Sequence, residues 1–398
     1  MSLNVAIYSR REFNVHIGGI ERVSVSLANE LIKRGVNIFL ISIEKSEYTI
    51  PYSTPVPINF LPDNETNSEA NVVALHNIIV ENSIDIVLNQ CAHASKAHIL
   101  CYCSIQGTSA RLVSALHFCP NMRKLLYKYP CDRNIFTLKE NATRLLKCVA
   151  YKFPFSLYTL KDVRCYFKKL YAESARVVIL SQRFIPEYIE MGWMKDSTKL
   201  FPINNMLSFD LIDTGAQKEN KILFCARMTN QKRPERALYV WQKLQNKLPD
   251  WSLDFVGDGS LLERLKSISK KLGLKNIEFH GFKNPQEFYM RSRIFLMTSD
   301  FEGWPLTLFE AMQNRCVPIA IDTYSSVRDI IDNGINGFLI PQVDCSLMAK
   351  RAFELATNQE LWNNMSQAAF DKTRFFTPKV IADEWMKLFE EIRLTDKT

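Results

Sequence analysis

The sequence predicts an α/β protein built from two domains, each with a parallel sheet. Three observations predict it. Short apolar runs alternate with amphipathic helical stretches along both halves, the pattern of sheets layered with helices. A polar stretch from Leu207 to Asn220 has neither helical nor strand period and reads as a linker. In the second half, four successive strand ends carry glycine, arginine, lysine or glutamate, at the edge where open α/β sheets bind ligands.

In the first half the strand candidates are Val5–Tyr8, Asn37–Ile43, Ile84–Asn89, His98–Ser104 and Arg176–Leu180. A helix is predicted over Glu21–Arg34, stopped by Gly35. Segment Glu47–Asn71, with Pro51, Pro55, Pro57 and Pro62, reads as a surface loop. In the second half the strands are Lys221–Ala226, Ser252–Val256, Asn276–His280, Ile294–Thr298, Val317–Ile321 and Phe338–Ile340. Helices are expected over Pro234–Lys247, Ser260–Leu272, Pro285–Arg291, Pro305–Asn314 and Ser346–Thr357, with a last amphipathic helix over Pro378–Ile392. The domains so drawn are residues 1–206, 207–377 and a terminal helix within 378–398.

At 398 residues the chain is long enough for two ordinary cores. Its 47% apolar and 23% charged residues suit a globular protein. No apolar run reaches the ~20 residues of a membrane span. Met1–Tyr8 enters directly as a strand without a cationic and apolar leader, so a cytoplasmic protein is expected. Ten cysteines include no C-x2-C pair, and Cys101-Tyr102-Cys103 with His98 is too sparse for a ligand set; reduced thiols and no metal are expected. The net charge of +8 concentrates between Arg123 and Lys169, where basic residues interleave with aromatic and aliphatic ones. That mixture suits an anionic membrane surface or a solvated helical face. Nothing around it has the pattern of a nucleic-acid fold, and no nucleic-acid partner is expected.

The most informative stretch is Ser299-Asp300-Phe301-Glu302-Gly303-Trp304-Pro305-Leu306-Thr307-Leu308-Phe309-Glu310. An apolar strand precedes it, Gly303 frees the backbone, and Pro305 opens a helix. A helix N-terminus there presents unpaired N–H groups to an anion. Glu302 precedes that point and Glu310 lies about a turn inside the helix, so the two carboxylates suit hydroxyls on either side of a diphosphate. Cys225 to Pro234 is a second strand-to-helix turn, where Arg227 and Lys232 can oppose phosphate charge. Val256-Gly257-Asp258-Gly259 and His280-Gly281-Phe282 are turns at the same sheet edge; Asp258 suits capping, and the glycines allow close backbone approach. In the first half, His16-Ile17-Gly18-Gly19-Ile20 opens the helix at Glu21. It is not the G-x-G-x-x-G fingerprint, which disfavours a nicotinamide dinucleotide.

With these motifs the chain resembles the retaining glycosyltransferases of family 4, which have two facing Rossmann-like domains, the GT-B fold. The likeness runs over nearly the whole chain and extends to Asp322–Val327, Asp329 and Gly334–Leu339. It implies that Arg227 and Lys232 bind the donor diphosphate and that Glu310 binds the ribose. It implies that Glu302 holds the donor sugar with the backbone of Gly303, Trp304, Pro305 and Leu306, and that Thr307 lies in the same donor site. Gly18 and Gly19 would meet the diphosphate on closure, and the last helix would cross back to the first domain. Many relatives carry a histidine in an N-domain loop; the register Ser104–Thr108 places Gln106 there, with His93 and His117 as nearby alternatives and His16 as a further sugar contact. The activity implied is hexose transfer, with retained configuration and no metal or other cofactor, from a nucleoside-diphosphate sugar (a UDP-sugar before a GDP-sugar) to a glycan acceptor. A polyprenyl-diphosphate-linked glycan on the inner face of the membrane would give the basic stretch a purpose. The competing class is a non-catalytic nucleotide-sugar-binding subunit of the same fold.

Overall fold

The computed structural model of the chain describes residues 2–47, 51–120, 155–192, 194–207, 217–341 and 343–394. It divides into two compact units. The first comprises Met1–Pro120, Leu157–Ser208 and Phe376–Thr398, and the described residues of the second are 155–156, 217–341 and 343–375. Most of the basic stretch that begins at Arg123, and residues 208–216 of the linker, lie outside the described residues.

The first unit holds a parallel sheet of β1 (Asn4–Tyr8), β2 (Asn37–Ser42), β3 (Ile58–Phe60), β4 (Ile86–Asn89), β5 (Arg111–Leu116), β6 (Arg176–Ile179) and β7 (Leu200–Pro202), in the order β3-β2-β1-β4-β5-β6-β7. Its helices are α1 (Gly19–Lys33), α2 (Glu69–Glu81), α3 (Ser95–Ser104), α4 (Phe155–Glu173) and α5 (Phe184–Glu190). Helix α1 buries Val23, Leu27, Ala28 and Leu31 at helical spacing. Gly35, at φ +78°, takes the left-handed turn that ends it.

Two expectations are corrected in this unit. The run His98–Ser104 is helical and forms most of α3, and the strand lies further on, at β5. Its apolar residues look continuous in sequence, but the buried positions Ala97, Leu100, Cys101 and Ser104 repeat every three or four residues, and Ser104 Oγ donates to Leu100 O at 2.8 Å. The expected loop Glu47–Asn71 contains β3 and the start of α2. Ser68 caps that helix by accepting from Asn71 N, and Asn71, Leu75 and Ile79 line its buried face. Its β-branched residues (Val72, Val73, Ile78, Ile79, Val80) carry no strong helix propensity, so packing and the cap decide.

The second unit alternates strand and helix up to a closing pair of helices. In chain order it has β8 (Lys221–Cys225), α6 (Pro234–Leu244), β9 (Ser252–Val256), α7 (Leu262–Lys271), β10 (Ile277–Phe279), α8 (Gln286–Arg291), β11 (Ile294–Met297) and α9 (Leu306–Gln313). β12 (Val317–Ile321), α10 (Val327–Ile330), β13 (Phe338–Ile340), α11 (Cys345–Thr357) and α12 (Gln359–Thr373) complete it. The sheet is parallel throughout, in the order β10-β9-β8-β11-β12-β13. Trp241 and Leu238 from α6, Phe255 from β9, Leu296 from β11 and Met348 from α11 meet in one core. Each such side chain contributes roughly 1.5–3 kcal/mol by leaving water. Helix α13 (Pro378–Leu394) belongs to the first unit, where Arg34 at the end of α1 donates to Asp383 Oδ1 at 2.7 Å and Arg176 to Glu391 at 2.6 Å.

Among the described residues no helix is long and apolar enough to cross a membrane. Cys91, Cys101, Cys119, Cys225 and Cys316 are buried and in no disulfide, whereas Cys103 and Cys165 are exposed.

Candidate active site

In the second sheet the strand order reverses between β8 and β11, and such a switch point opens a crevice at the carboxyl ends of its strands. The loops leaving those two strands carry Arg227 with Lys232, and Glu302. Lys232 Nζ donates to Glu302 Oε1 at 2.6 Å, across 70 residues of sequence. Backbone bonds fix the two loops against each other: Asp300 N donates to Gln231 O at 2.9 Å, and Gln231 Nε2 to Phe301 O at 2.9 Å. Thr298 Oγ1 bonds both Lys232 O and Arg233 O at 2.8 Å. Arg227 is exposed, and among the described residues its guanidinium has no hydrogen bond or ion pair. An unpaired cation on the same loop as the lysine of a lysine–glutamate pair is suited to an anion that Lys232 can share with Glu302.

The glycines after β9 act on this loop. Gly257 has φ +124° and Gly259 φ +149°, both in the half of backbone space that glycine favours. A Cβ on Gly257 would stand 2.1 Å from Ala226 O, and one on Gly259 2.6 Å from Met228 O. Met228 N donates to Asp258 O at 2.8 Å and Gly257 N to Gly281 O at 2.8 Å. These glycines therefore bring the β9 turn against the backbone on either side of Arg227. Asp258 caps its own turn, accepting from Gly259 N at 2.6 Å. Gly281 takes φ +67° with open space around it, and Phe282 beside it is 59% exposed, leaving an aromatic face uncovered at the end of β10.

Helix α9 starts at Leu306, with Pro305 as its N-cap and no side chain capping it, so its first N–H groups remain available. Gly303 and Thr307 flank that end and are partly exposed. Trp304 is buried and stacks on Phe309, with centroids 5.4 Å apart, so it shapes the turn from beneath. Glu310 is also buried; Tyr289 Oη donates to its Oε2 at 3.0 Å, and Asn314 Nδ2 to its carbonyl at 2.8 Å. Burial, then the neighbouring Cys225 and Glu310, push the Tyr289 hydroxyl well above its ordinary pKa. It therefore stays a hydrogen-bond donor and fixes the glutamate.

Asp254 on β9, Glu278 on β10 and His280 just after it bring ligand atoms within 4.8 Å of one another. Lys221 Nζ, 3.3 Å from Asp254 Oδ2, already supplies the positive charge there.

In the first unit the α1 N-terminus carries Gly18 as an extended N-cap without a side-chain bond, followed by exposed Gly19. His16 precedes it, its N–H bonded to Asn14 Oδ1 at 3.0 Å. The placement of Gln106 is corrected. It follows α3, its Nε2 donates to Tyr102 O at 2.8 Å, and it lies before β5, at the amino edge of the sheet. His117 is the residue at the carboxyl end of β5. Its Nε2–H donates to Gln90 Oε1 at 2.6 Å, and burial with the nearby His93 pushes its pKa down to about 3. The ring is therefore neutral, with Nδ1 an open acceptor. Among the described residues, Nδ1 of His117, Nε2 of Gln90 and Nδ2 of Asn89 are buried without a partner. One acceptor and two donors at the carboxyl edge suit hydroxyl groups. Only the position of His117 after an apolar run marked this set in sequence.

Residues 212–372 match the family model described as glycosyl transferases group 1. Over its length the chain is 26% identical to an uncharacterized glycosyltransferase of Haemophilus influenzae, an alignment covering 92% of this chain and 95% of that protein. It is 24% identical to a Campylobacter jejuni α-1,4-N-acetyl-D-galactosaminyltransferase acting on a diphospho-undecaprenol glycan, covering 94% and 96%. Among solved structures, Anabaena HepE in complex with UDP superposes with a TM-score of 0.72 at 14% identity, over 98% of this chain and all of that one. The pneumococcal O-GlcNAc transferase GtfA, with UDP and GlcNAc, gives 0.70 at 11% identity over 98% and 99%. The fold is thus GT-B, and Arg227, Lys232, Glu302 and Glu310 all lie within the 212–372 segment that matches the group 1 glycosyl transferase model.

Proposed function

We propose that the chain is a retaining glycosyltransferase that moves a hexose from a UDP-sugar to a lipid-linked glycan during synthesis of a bacterial cell-surface polysaccharide. The observation that carries the proposal is the exposed, unpaired Arg227 on the same strand-end loop as Lys232, which pairs with Glu302 across the β8/β11 switch point. As the bond from the anomeric carbon to the diphosphate oxygen breaks, negative charge grows on the departing nucleoside diphosphate. Arg227, Lys232 and the uncapped N-terminus of α9 oppose that charge where it develops. These cations take on the work of a divalent metal, so EDTA is expected to leave the rate unchanged. Glu310, held by Tyr289, accepts from the ribose hydroxyls, and Glu302 orients the sugar. The leaving phosphate takes the proton of the acceptor hydroxyl on the same face, which retains configuration without an enzymic nucleophile.

Two comparisons support the substrate class: the Campylobacter relative acts on a diphospho-undecaprenol glycan, and HepE and GtfA were solved with UDP. A non-catalytic nucleotide-sugar binder needs Glu310 but tolerates the loss of Arg227 or Lys232; both are present, which favours an enzyme. Thermal-shift measurement with UDP, GDP, their hexose conjugates and NAD tests the reading. At a concentration a hundredfold above Kd, UDP should add about 2.7 kcal/mol of stability. Stabilisation by NAD alone, or by no nucleotide, contradicts it.

A further inference from the structure

The loops of the candidate site are joined by a buried charge cluster that the chemistry above does not use. Asp300 and Arg236 are fully buried, and Arg233 and Glu235 almost so. The Asp300 carboxylate accepts from Arg233 Nε on one oxygen and pairs with Arg236 NH1 at 2.8 Å on the other. Arg236 NH1 also donates to Thr298 O at 2.8 Å, and Glu235 lies 3.7 Å from Arg233 NH1, so two cations face two anions. Arg233 has φ +49°, a left-handed conformation that a residue with a long side chain adopts at a cost. That turn lies directly between Lys232, whose side chain reaches Glu302, and helix α6.

We propose that Asp300 is a positioning residue for transfer. Its carboxylate holds Arg233 in the left-handed turn and Arg236 against the Thr298 carbonyl, and this brace sets Lys232 against Glu302. The inference rests on the functional reading above, and it concerns the rate of the chemical step rather than nucleotide affinity. Glu310 is fixed by Tyr289 and Asn314, and Arg227 by the turn at Gly257, so neither depends on Asp300.

The test measures UDP release from UDP-glucose and UDP-N-acetylglucosamine at saturation, with UDP affinity determined by calorimetry on the same preparations. A displacement of about 1 Å at a reacting group costs on the order of 10²-fold in rate. Asp300→Asn should therefore lose about that factor at saturation and keep UDP affinity within about threefold. Adding Arg233→Gly should restore about tenfold, because glycine takes φ +49° without the brace and removes the surplus buried cation. A merely stabilising carboxylate predicts no such rescue. An unchanged rate in Asp300→Asn overturns the proposal, as does a loss of rate matched by loss of UDP binding and not relieved by Arg233→Gly. If Asp300→Asn does not fold, Thr298→Val removes the hydroxyl bonds to Lys232 O and Arg233 O without altering charge. It should lower the saturated rate with UDP affinity kept, and an unchanged rate there also overturns the proposal. A wild-type chain that binds UDP and cleaves UDP-sugar while the variants match it defeats only this inference; one that binds no nucleotide defeats the functional reading.

Discussion

Replacing Gly257 with alanine separates two explanations of the strand-end glycines. A Cβ there would sit 2.1 Å from Ala226 O and 2.9 Å from its carbonyl carbon, whereas Cβ atoms essentially never come within 3.0 Å of another heavy atom. The turn must therefore retreat by roughly 1 Å in a closely packed setting. It is held there by the bonds Ala226 N to Val256 O, Met228 N to Asp258 O, and Gly257 N to Gly281 O. Retreat strains all three, and φ +124° is itself costly for alanine. Backbone strain of about 1–3 kcal/mol and overpacking of about 1–3 kcal/mol add to about 4 kcal/mol. For a unit of this size that lowers Tm by about 8–16 °C. Urea and thermal unfolding of ligand-free Gly257→Ala measure it. If the glycine serves only to let a ligand approach the backbone, the ligand-free variant keeps wild-type stability and loses UDP affinity alone. That result refutes the packing account.

Two further outcomes follow from the buried polar groups. His117, ordinarily near 6.5 but held at about 3 in the fold, supports the native state fully above pH 6.5 and progressively less as pH falls toward 3. At pH 5 its contribution has fallen by about 2 kcal/mol, so urea unfolding of His117→Gln should lose that much less between pH 7.5 and pH 5 than the wild type does; equal losses rule out a buried neutral imidazole. Glu310→Ala should destabilise by about 1–3 kcal/mol by leaving the Tyr289 hydroxyl without its acceptor, whereas Glu310→Gln keeps an acceptor oxygen and most of the stability. Both should weaken UDP binding about tenfold in calorimetry, and unchanged affinity removes Glu310 from the ribose site.

What could be read in the sequence was whatever local pattern determines. Buried parallel strands are continuous apolar runs, so β8, β9, β11 and β12 stood out, and the loops leaving β8 and β11 carried Arg227, Lys232 and Glu302. Local pattern misled where residue types suit two structures. Helix α2 is rich in β-branched residues, and α3 carries an apolar run that looks continuous in sequence, so the first pattern suits a loop or strand and the second a strand. A strand at His98–Ser104 would put Gln106 at a carboxyl end, whereas the strand at β5 puts His117 there. Gly257 and Gly259 were visible as glycines, but that their missing side chains make room for the 226–228 backbone depends on a contact between strands. The Asp300 brace was hidden for the same reason, since 67 residues separate Arg233 from its carboxylate.

Turnover of Arg227→Ala measures most directly whether cations at the second sheet's switch point drive the departure of a nucleoside diphosphate. With UDP-sugar as donor, loss of this guanidinium should lower the saturated rate by about 10²–10³-fold, the range for removing one preorganised charge-stabilising donor. UDP affinity should fall much less, because Lys232 and Glu310 remain. A saturated rate equal to that of the wild type contradicts the account.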